Sequence, residues 1–221
     1  MLRQGRAPEK RFIMHFTHID NLRPVLADGI LYPDALVGDR LTTEVGDRDI
    51  KAARRRNAVT CEPGGCPADY VPFYFAPRSP MLYRIARGGV AHYQDGQTSL
   101  VYLVTTIQDV RRARLPWVFS NGNCGAPTTE YFNDLHLLDT KIDWELQEAV
   151  MWTSTPEDPN RATRRAAEFL VYGRLPWHVI RWVVARTTAA ATAASDILKQ
   201  AGSSQQVLVR PRWYYNGRKY R

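Results

Sequence analysis

The chain has 221 residues, of which 44% are apolar and 24% charged, which is ordinary for a soluble globular protein. These values exclude a disordered chain and a fibre, and arginines interrupt the longest apolar runs well short of the roughly 18 residues of a membrane span. The basic N-terminus leads into no apolar signal-peptide core. We therefore expect one domain over residues 1–221, in the cytoplasm and without a membrane partner.

The net charge of +8 and the type of its basic residues carry more information. Of the 30 basic side chains 25 are arginine, whose planar, multi-donor head suits phosphates and base edges better than a lysine ammonium does. The charge predicts a polyanionic partner. The alternative is that arginine-rich composition simply reflects a GC-rich genome.

The three cysteines are an odd set, Cys61, Cys66 and Cys124. Four residues separate the first two, but no second Cys or His pair follows at zinc-ligand spacing. We expect inert thiols and no metal.

The first half of the chain begins with a predicted strand over 12–17, FIMHFT. A short helix follows, with Asp20 as its N-cap and Gly29 at its end. A polar connector over 33–47 leads to a helix with a dense basic face over 49–57.

The rest of the chain mixes strands and helices. Aromatic and β-branched residues bounded by turn signals predict strands. We expect strands over 70–76, 99–105, 168–173, 179–186 and 206–215, and helices over 107–114, over 144–152 and ending near Gly202. Because no regular βαβ rhythm appears, the order favours an α+β fold with split or mostly antiparallel sheets.

Glu168 opens the apolar segment EFLVYG and is the first candidate for chemistry. In a strand it would share a face with Leu170 and Tyr172, where a carboxylate is costly without partners. The residues alone favour a Glu paired with Arg164 or Arg165 over a catalytic carboxylate at the mouth of a cleft. Rossmann, P-loop and zincin motifs are absent from the sequence.

Arginines cluster just before this glutamate. Arg161, Arg164 and Arg165 have the i, i+3, i+4 spacing of one helical face. Such a face is usually solvated, but here it could also place a phosphate backbone beside the reacting group. His15 and His18, at the end of the first strand, admit a structural or a binding role.

Three segments, HFTHIDNL, DYVPFYFAPRSPMLY and DPNRATRRAAEFLVYG, together resemble the DarT family of DNA ADP-ribosyltransferase toxins. Their order and spacing match from about His15 to Tyr215. The resemblance implies the ADP-ribosyltransferase fold, a split and mostly antiparallel β-sheet with a central NAD cleft and flanking helices. It also implies transfer of ADP-ribose from NAD to a base in single-stranded DNA, with thymine the target, and a macrodomain antitoxin encoded alongside.

The same resemblance assigns roles to individual positions. Glu168 matches the catalytic glutamate and Arg54 the catalytic arginine, with Arg55 in reserve because the CEPGGCPA segment makes the alignment less secure. The NAD contacts would come from the first strand and the middle motif: His15, Phe16, Thr17, His18, Arg54 and Tyr74. The segment 33–54 would close over NAD, and the stretch before Glu168 would select the target base.

DNA contacts are expected from Arg161, Arg164, Arg165 and the C-terminal segment RPRWYYNGRKYR, through phosphates and possible stacking. Two alternatives stay open at this point. One is an enzyme of this fold that modifies RNA or protein, and the other is a nucleic-acid-binding module in which Glu168 is structural.

Overall fold

The computed structural model describes residues 7–216. Its β-strands are β1 (Phe12–His18), β2 (Ile30–Leu31), β3 (Tyr70–Tyr74), β4 (Leu100–Thr106), β5 (Trp117–Ser120), β6 (Tyr131–Phe132), β7 (Glu168–Tyr172), β8 (Leu175–Pro176), β9 (Trp182–Ala185) and β10 (Gln206–Val209). Its α-helices are α1 (Leu22–Asp28), α2 (Asp34–Val37), α3 (Arg48–Arg56), α4 (Pro80–Ala86), α5 (Ile107–Arg112), α6 (Leu138–Lys141), α7 (Trp144–Glu148), α8 (Arg161–Arg165) and α9 (Thr188–Gln200).

The main sheet has the strand order β10-β9-β4-β1-β3-β7-β5-β6. Its neighbours pair antiparallel, except for the parallel pair β9 and β10, which α9 connects. β2 and β8 form a separate antiparallel ladder. The α+β prediction and the mostly antiparallel sheet are confirmed.

The sheet is divided between β1 and β3, which pair only at Met14 and Tyr74. Proline cannot donate a ladder hydrogen bond, and Pro72 lies in β3 next to this opening. Its carbonyl instead accepts a hydrogen bond from Nδ1 of His15 at 2.9 Å. A side chain thus bridges a place where ladder bonds would otherwise close the sheet, and a cleft opens there.

The core explains why the central strands read as continuous apolar runs. All seven residues of β4 are buried, because apolar clusters cover both faces of the sheet. Phe169 and Val171 of β7 lie in the cluster that includes Phe73 and Phe75, whereas Leu170 lies in a smaller one. The predicted alternation along β7 is therefore confirmed.

Several local predictions need correction. Asn21, not Asp20, is the N-cap of α1, because a 3₁₀ turn over Ile19–Asn21 precedes the helix. Gly29 does end α1, in the left-handed conformation that glycine adopts without cost (φ +64°). The helix predicted over 144–152 ends at Glu148, where Ala149 turns extended.

Between residues 7 and 216 no helix combines the length and the apolar character that crossing a membrane would require.

Candidate active site

The centre of the cleft is a buried ion pair between α3 and β7. Nη1 of Arg54 donates to Oε2 of Glu168 at 2.7 Å. Both residues are buried, with 8% and 3% of their surfaces exposed. Glu168 therefore pairs with Arg54 and not with Arg164 or Arg165, so the pairing favoured by the residues alone was wrong.

Ser120, at the end of β5, holds the backbone of Glu168 in place. Its amide donates to Oγ of Ser120 at 3.1 Å, and that hydroxyl donates in turn to the carbonyl of Gly122 at 2.8 Å. β7 is flanked by β3 and β5 on its two sides. A carboxylate at the start of such an interior strand has a well-defined position, as a catalytic group requires.

Arg54 is positioned by the last turn of α3. The carboxylate of Asp47 caps this helix, accepting from the amides of Asp49 and Ile50 at 3.0 and 3.1 Å. Nη2 of Arg54 also donates to the carbonyl of Pro67 at 3.3 Å. The guanidinium thus has a neutral and an ionised acceptor on two separate elements.

Arg55 points elsewhere. Its guanidinium forms an ion pair with Asp34 of α2, and about half of its side chain is exposed. Adjacent helix positions face directions about 100° apart, so only one of the two arginines can reach Glu168. Of the two candidates the structure brings Arg54 to the carboxylate.

Burial and charge act in opposite directions on the pKa of Arg54. Burial is the largest single influence and lowers the pKa of Arg54, but the charge of Glu168, its hydrogen bond and the influences of Cys124 and Tyr74 together raise the pKa above its usual value. The guanidinium is therefore a permanent cation. It can stabilise a developing negative charge, but it cannot serve as a base.

Tyr74 lies beside the pair, directly opposite Glu168 in the β3–β7 ladder. Burial and the charge of Glu168 both raise the pKa of its phenol. Its ring is parallel to that of Phe16, with centroids 6.1 Å apart. Tyr74 thus presents a neutral aromatic ring and hydroxyl to the cleft.

Cys124 is buried next to the same carboxylate. Its thiol donates weakly to Oγ of Ser120 at 3.4 Å, and burial raises its pKa to about 12. A thiol that stays protonated at neutral pH is a poor nucleophile. Cys124 therefore packs beneath the cleft as a protonated thiol and does not line it.

His15 is a neutral hydrogen-bond acceptor in the wall of the cleft. Burial, opposed by the bond to Pro72 and reinforced by the charge of Arg54, lowers its pKa to about 4. A carbonyl can only accept, so Nδ1 of the neutral ring carries the proton and donates to Pro72. Nε2 is left with a free lone pair, which could accept from a ligand hydroxyl or amide.

The other predicted NAD contacts on β1 differ in position. Phe16 and Thr17 line the cleft together with His15. His18 is not among the residues of the cleft wall. Its Nδ1 accepts from the amide of Asp20 at 3.3 Å, because the strand ends there and the side chain caps the following turn.

The connector before α3 is fastened to β1 through Asn21, which is 1% exposed. Its amide group donates to Oγ1 of Thr17 at 2.9 Å and to the carbonyl of Thr43 at 2.7 Å, and it accepts from the amide of Thr43 at 2.9 Å. The segment predicted to close over NAD is therefore anchored at its middle and at the helix that carries Arg54.

The resulting cleft has a volume of about 350 Å³, within the usual range for small-molecule and cofactor sites. Its floor carries Arg54, Glu168 and Tyr74, and its wall runs along α1 and the segment 34–47. Within residues 7–216, no cluster of three or more His, Cys, Asp or Glu could hold a metal ion. The lining matches an elongated ligand with apolar and ionised parts.

The three arginines of α8 have three different environments. Arg161 donates to the carbonyl of Met151 and is partly exposed. Arg164 forms ion pairs with Asp158 at 2.7 Å and Asp143 at 3.3 Å, and hydrogen bonding to Asp158 raises its pKa. Arg165 is only 1% exposed. The predicted helical turn is present, but its arginines do not form one solvated face.

The C-terminal aromatic residues are mostly interior. Tyr214 and Tyr215 are 2% and 7% exposed, and their hydroxyls donate to backbone carbonyls, that of Tyr214 to Val184 at 2.8 Å. Neither can stack on a nucleobase. Trp213 is partly buried, and the end of the predicted DNA-contacting segment, residues 217–221, lies outside the described residues.

Sequence reasoning missed Ser120, Cys124 and Asn21 as parts of the site. Ser120 and Cys124 lie in an irregular stretch, SNGNC, that has no periodicity and no known motif spacing. Their role follows only from the pairing of β5 with β7, which a local pattern cannot reveal.

Comparison with known proteins places this geometry in context. Residues 14–215 match the family model described as "DarT: ssDNA thymidine ADP-ribosyltransferase, DarT". A DNA ADP-ribosyl transferase of Mycobacterium tuberculosis is 36% identical over 213 residues, which are 95% of this chain and 91% of the relative.

Two solved structures of the Thermus sp. 2.9 DarT share the fold. The complex with ADP-ribosylated single-stranded DNA has a TM-score of 0.88 and 35% identity, and it covers 97% of this chain and 100% of the other. The complex with NAD⁺ has a TM-score of 0.83 and 33% identity, covering 96% and 100%.

Proposed function

Because the chain belongs to the DarT family of NAD-dependent DNA ADP-ribosyltransferases, we propose that its cleft transfers ADP-ribose from NAD to a thymine in single-stranded DNA, with Glu168 and Arg54 as its catalytic residues. The buried ion pair between them is the observation that supports these roles best. A carboxylate and a permanent cation converge there at the floor of a cavity suited to a dinucleotide.

Glu168 acts on the sugar. Breaking the bond between nicotinamide and ribose builds positive charge on the ribose, as glycoside cleavage does. A carboxylate at this position stabilises the transition state more than the ground state. The same group can hold a ribose hydroxyl and can accept the proton that the thymine N–H loses as the new bond forms.

Arg54 stabilises negative charge. Its guanidinium can bind the pyrophosphate of NAD or a developing thymine anion. His15, Phe16, Thr17 and Tyr74 complete the NAD site, with His15 offering its Nε2 lone pair and Tyr74 its ring and hydroxyl. His18 supports the end of β1 and is left out of this proposal because its side chain caps a turn.

Single-stranded DNA would reach the cleft past α8. An unpaired base avoids most of the unstacking cost of entering such a site. Arg161 is the arginine of α8 most free to contact a phosphate, since Arg164 shares its charge with two carboxylates. Arg165 is buried, so a phosphate could approach it only through the small cavity that it lines.

The activity is tested by incubating the protein with NAD and an oligonucleotide that contains one thymine, and measuring intact mass. We expect a gain of one ADP-ribose on single-stranded DNA. Glu168→Gln keeps the side-chain volume and an acceptor for Arg54, so it should fold and bind DNA but lose about 10³-fold in rate. The same measurement is made with RNA and with protein as the acceptor. Modification of RNA or protein, but not of the oligonucleotide, would overturn the DNA assignment.

We also propose that the protein is the toxin of a toxin-antitoxin pair, acting in the cytoplasm, where NAD and single-stranded DNA are both present. A macrodomain encoded alongside would remove the mark, as the family implies. Growth arrest on expression, relieved by a catalytically intact macrodomain neighbour, is the expected result. Growth unaffected by the active enzyme would contradict the toxin role.

A further inference from the structure

A second cavity, of about 190 Å³, shares no lining residue with the NAD cleft. Its walls come from the residues that follow Tyr74 along the chain, from α7, and from Arg165 of α8. Successive residues of a strand point to opposite faces. Tyr74 and Glu168 face the NAD cleft, so Phe75 and its neighbours line a space on the other side of the same sheet edge.

Arg165 is an unusual wall for such a cavity. It is 1% exposed, and its acceptors are neutral: Oε1 of Gln147 at 3.1 Å and the carbonyl of Pro77 at 2.6 Å. Its Nε–H has no acceptor within residues 7–216. A buried charge without a counter-ion is costly, and burial lowers the pKa of Arg165 to about 10. An anion in the cavity would offset that cost.

Arg78 is a second arginine in the lining of the same cavity. Its backbone is left-handed, with φ +60°, a conformation that costs free energy for a residue other than glycine. Two tyrosine hydroxyls hold it there: that of Tyr102 accepts from the Arg78 amide at 3.2 Å, and that of Tyr215 donates to its carbonyl. The strain is maintained by buried side chains, which indicates a position under constraint.

Arg78 and Arg165 have unpaired charges within residues 7–216. In the described part of the chain, no carboxylate forms an ion pair with Arg78 or Arg165. Glu148 lines the cavity at an exposed position, and Trp144 adds an aromatic wall. Two uncompensated guanidinium groups beside an aromatic ring match a nucleotide phosphate and its base.

We propose that this cavity binds a nucleotide next to the acceptor thymine and holds its phosphate between Arg78 and Arg165. The inference rests on the function proposed above. Arg165 precedes Glu168 by three residues, so their Cα atoms are at most about 10 Å apart. That span suits the spacing between one nucleotide in the active site and its neighbour.

The test uses single-thymine oligonucleotides in which each linkage flanking the thymine is replaced, one at a time, by an uncharged methylphosphonate. For the unaltered enzyme, one of these replacements should lower kcat/KM for the oligonucleotide about tenfold. Arg78→Gln should lose a similar factor on the normal oligonucleotide and be insensitive to that replacement. Arg78→Lys should recover part of the loss.

The control is Arg112→Gln, which removes one positive charge from an exposed position of α5. It should keep the sensitivity of the unaltered enzyme. Melting temperature, with and without NAD, reports whether Arg78→Gln folds and binds NAD normally. Equal sensitivity of the unaltered enzyme and Arg78→Gln at both linkages would overturn the inference. Absence of any transfer by the unaltered enzyme would instead overturn the proposed function.

Discussion

Arg54 and Arg55 show how much one residue position decides in this site. Both are arginines at the end of α3, yet only Arg54 is buried against Glu168. Arg55 lies about half exposed beside Asp34. An exposed ion pair contributes little free energy, whereas the buried cation adjoins Glu168, where we propose that charge develops during transfer.

We therefore expect Arg54→Ala to lower the rate of transfer by at least about 10²-fold, and Arg55→Ala to change it by less than about threefold. Initial rates on one thymine oligonucleotide, at saturating NAD, measure both. The two variants remove the same side chain from adjacent positions, so each is the matched control of the other. Full activity of Arg54→Ala would transfer the role to Arg55.

His15 provides a pH prediction. Its pKa falls from 6.5 to about 4 on folding, so below pH 6.5 the unfolded chain binds the proton more readily than the folded one. The contribution to stability is complete above pH 6.5 and is lost as the pH falls towards 4. The full pKa difference corresponds to about 3 kcal/mol, and solvent in the cleft reduces that value.

His15→Gln should reduce the loss of unfolding free energy that occurs as the pH falls from 6.5 to 4. The measurement is the free energy of unfolding, from urea titrations at intervals between pH 7 and pH 4, as the difference between the two proteins. The carboxylates titrate in the unaltered protein and in the variant alike, so their effect on the unfolding free energy cancels in the difference. A difference that stays constant over this range would show that His15 is already protonated in the folded protein, or not depressed in pKa.

At the scale of elements, α2, the connector and α3 form one side of the NAD cleft. Asp34 of α2 accepts from Lys51 of α3 at 2.7 Å and also pairs with Arg55. Arg84 of α4 adds a bond to Asp47, the N-cap of α3, at 2.8 Å. These contacts fix the helix that carries Arg54, so the cleft wall depends on ion pairs as well as on apolar packing.

Replacing Asp34 by Asn removes the charge that attracts two cations while keeping the side-chain size. We expect KM for NAD to rise by roughly threefold to tenfold, because the helix pair would have to be ordered by NAD itself, and kcat to change less. Steady-state kinetics with varied NAD separate the two constants. A fall in kcat with an unchanged KM would mean that Asp34 acts on the chemical step instead.

At the scale of the whole molecule, the net charge of +8 should govern association with DNA. Each phosphate neutralised on binding releases condensed counterions, so affinity for single strands falls with salt by a log–log slope of about −0.7 per contact. Most of the arginines remain at least partly exposed. A basic surface around a cleft also raises the rate of encounter with a polyanion.

We expect the dissociation constant for a short thymine-containing oligonucleotide to increase steeply between 50 and 200 mM salt, with Arg161→Ala reducing the slope by about 0.7. Fluorescence anisotropy at four salt concentrations measures it. Arg112→Gln, at an exposed position of α5 that lines neither cavity, is the comparison variant. An affinity nearly independent of salt would argue against arginine–phosphate contacts as the basis of binding.

Local patterns were sufficient for much of the fold. Aromatic and β-branched runs predicted β1, β3, β4 and β7, since strands in the interior of a sheet are rich in apolar residues. The strand predicted over 206–215 ends earlier, at Val209, because a 3₁₀ turn over Pro211–Trp213 follows. The predicted end of α1 was correct because a left-handed cap favours glycine. The resemblance to a family, carried by three spaced motifs, indicated Glu168 and Arg54 together.

Tertiary structure decided the contacts that make the site. Arg54 and Glu168 are 114 residues apart, and a helical spacing could not show that Arg165 turns inward while Arg161 stays at the surface. The sequence predicted that the segment containing Tyr214 and Tyr215 contacts DNA, but tertiary packing buries both side chains. The physical reason is that periodicity reports on which side of an element a residue lies, whereas its counter-ion and exposure depend on elements distant in the chain.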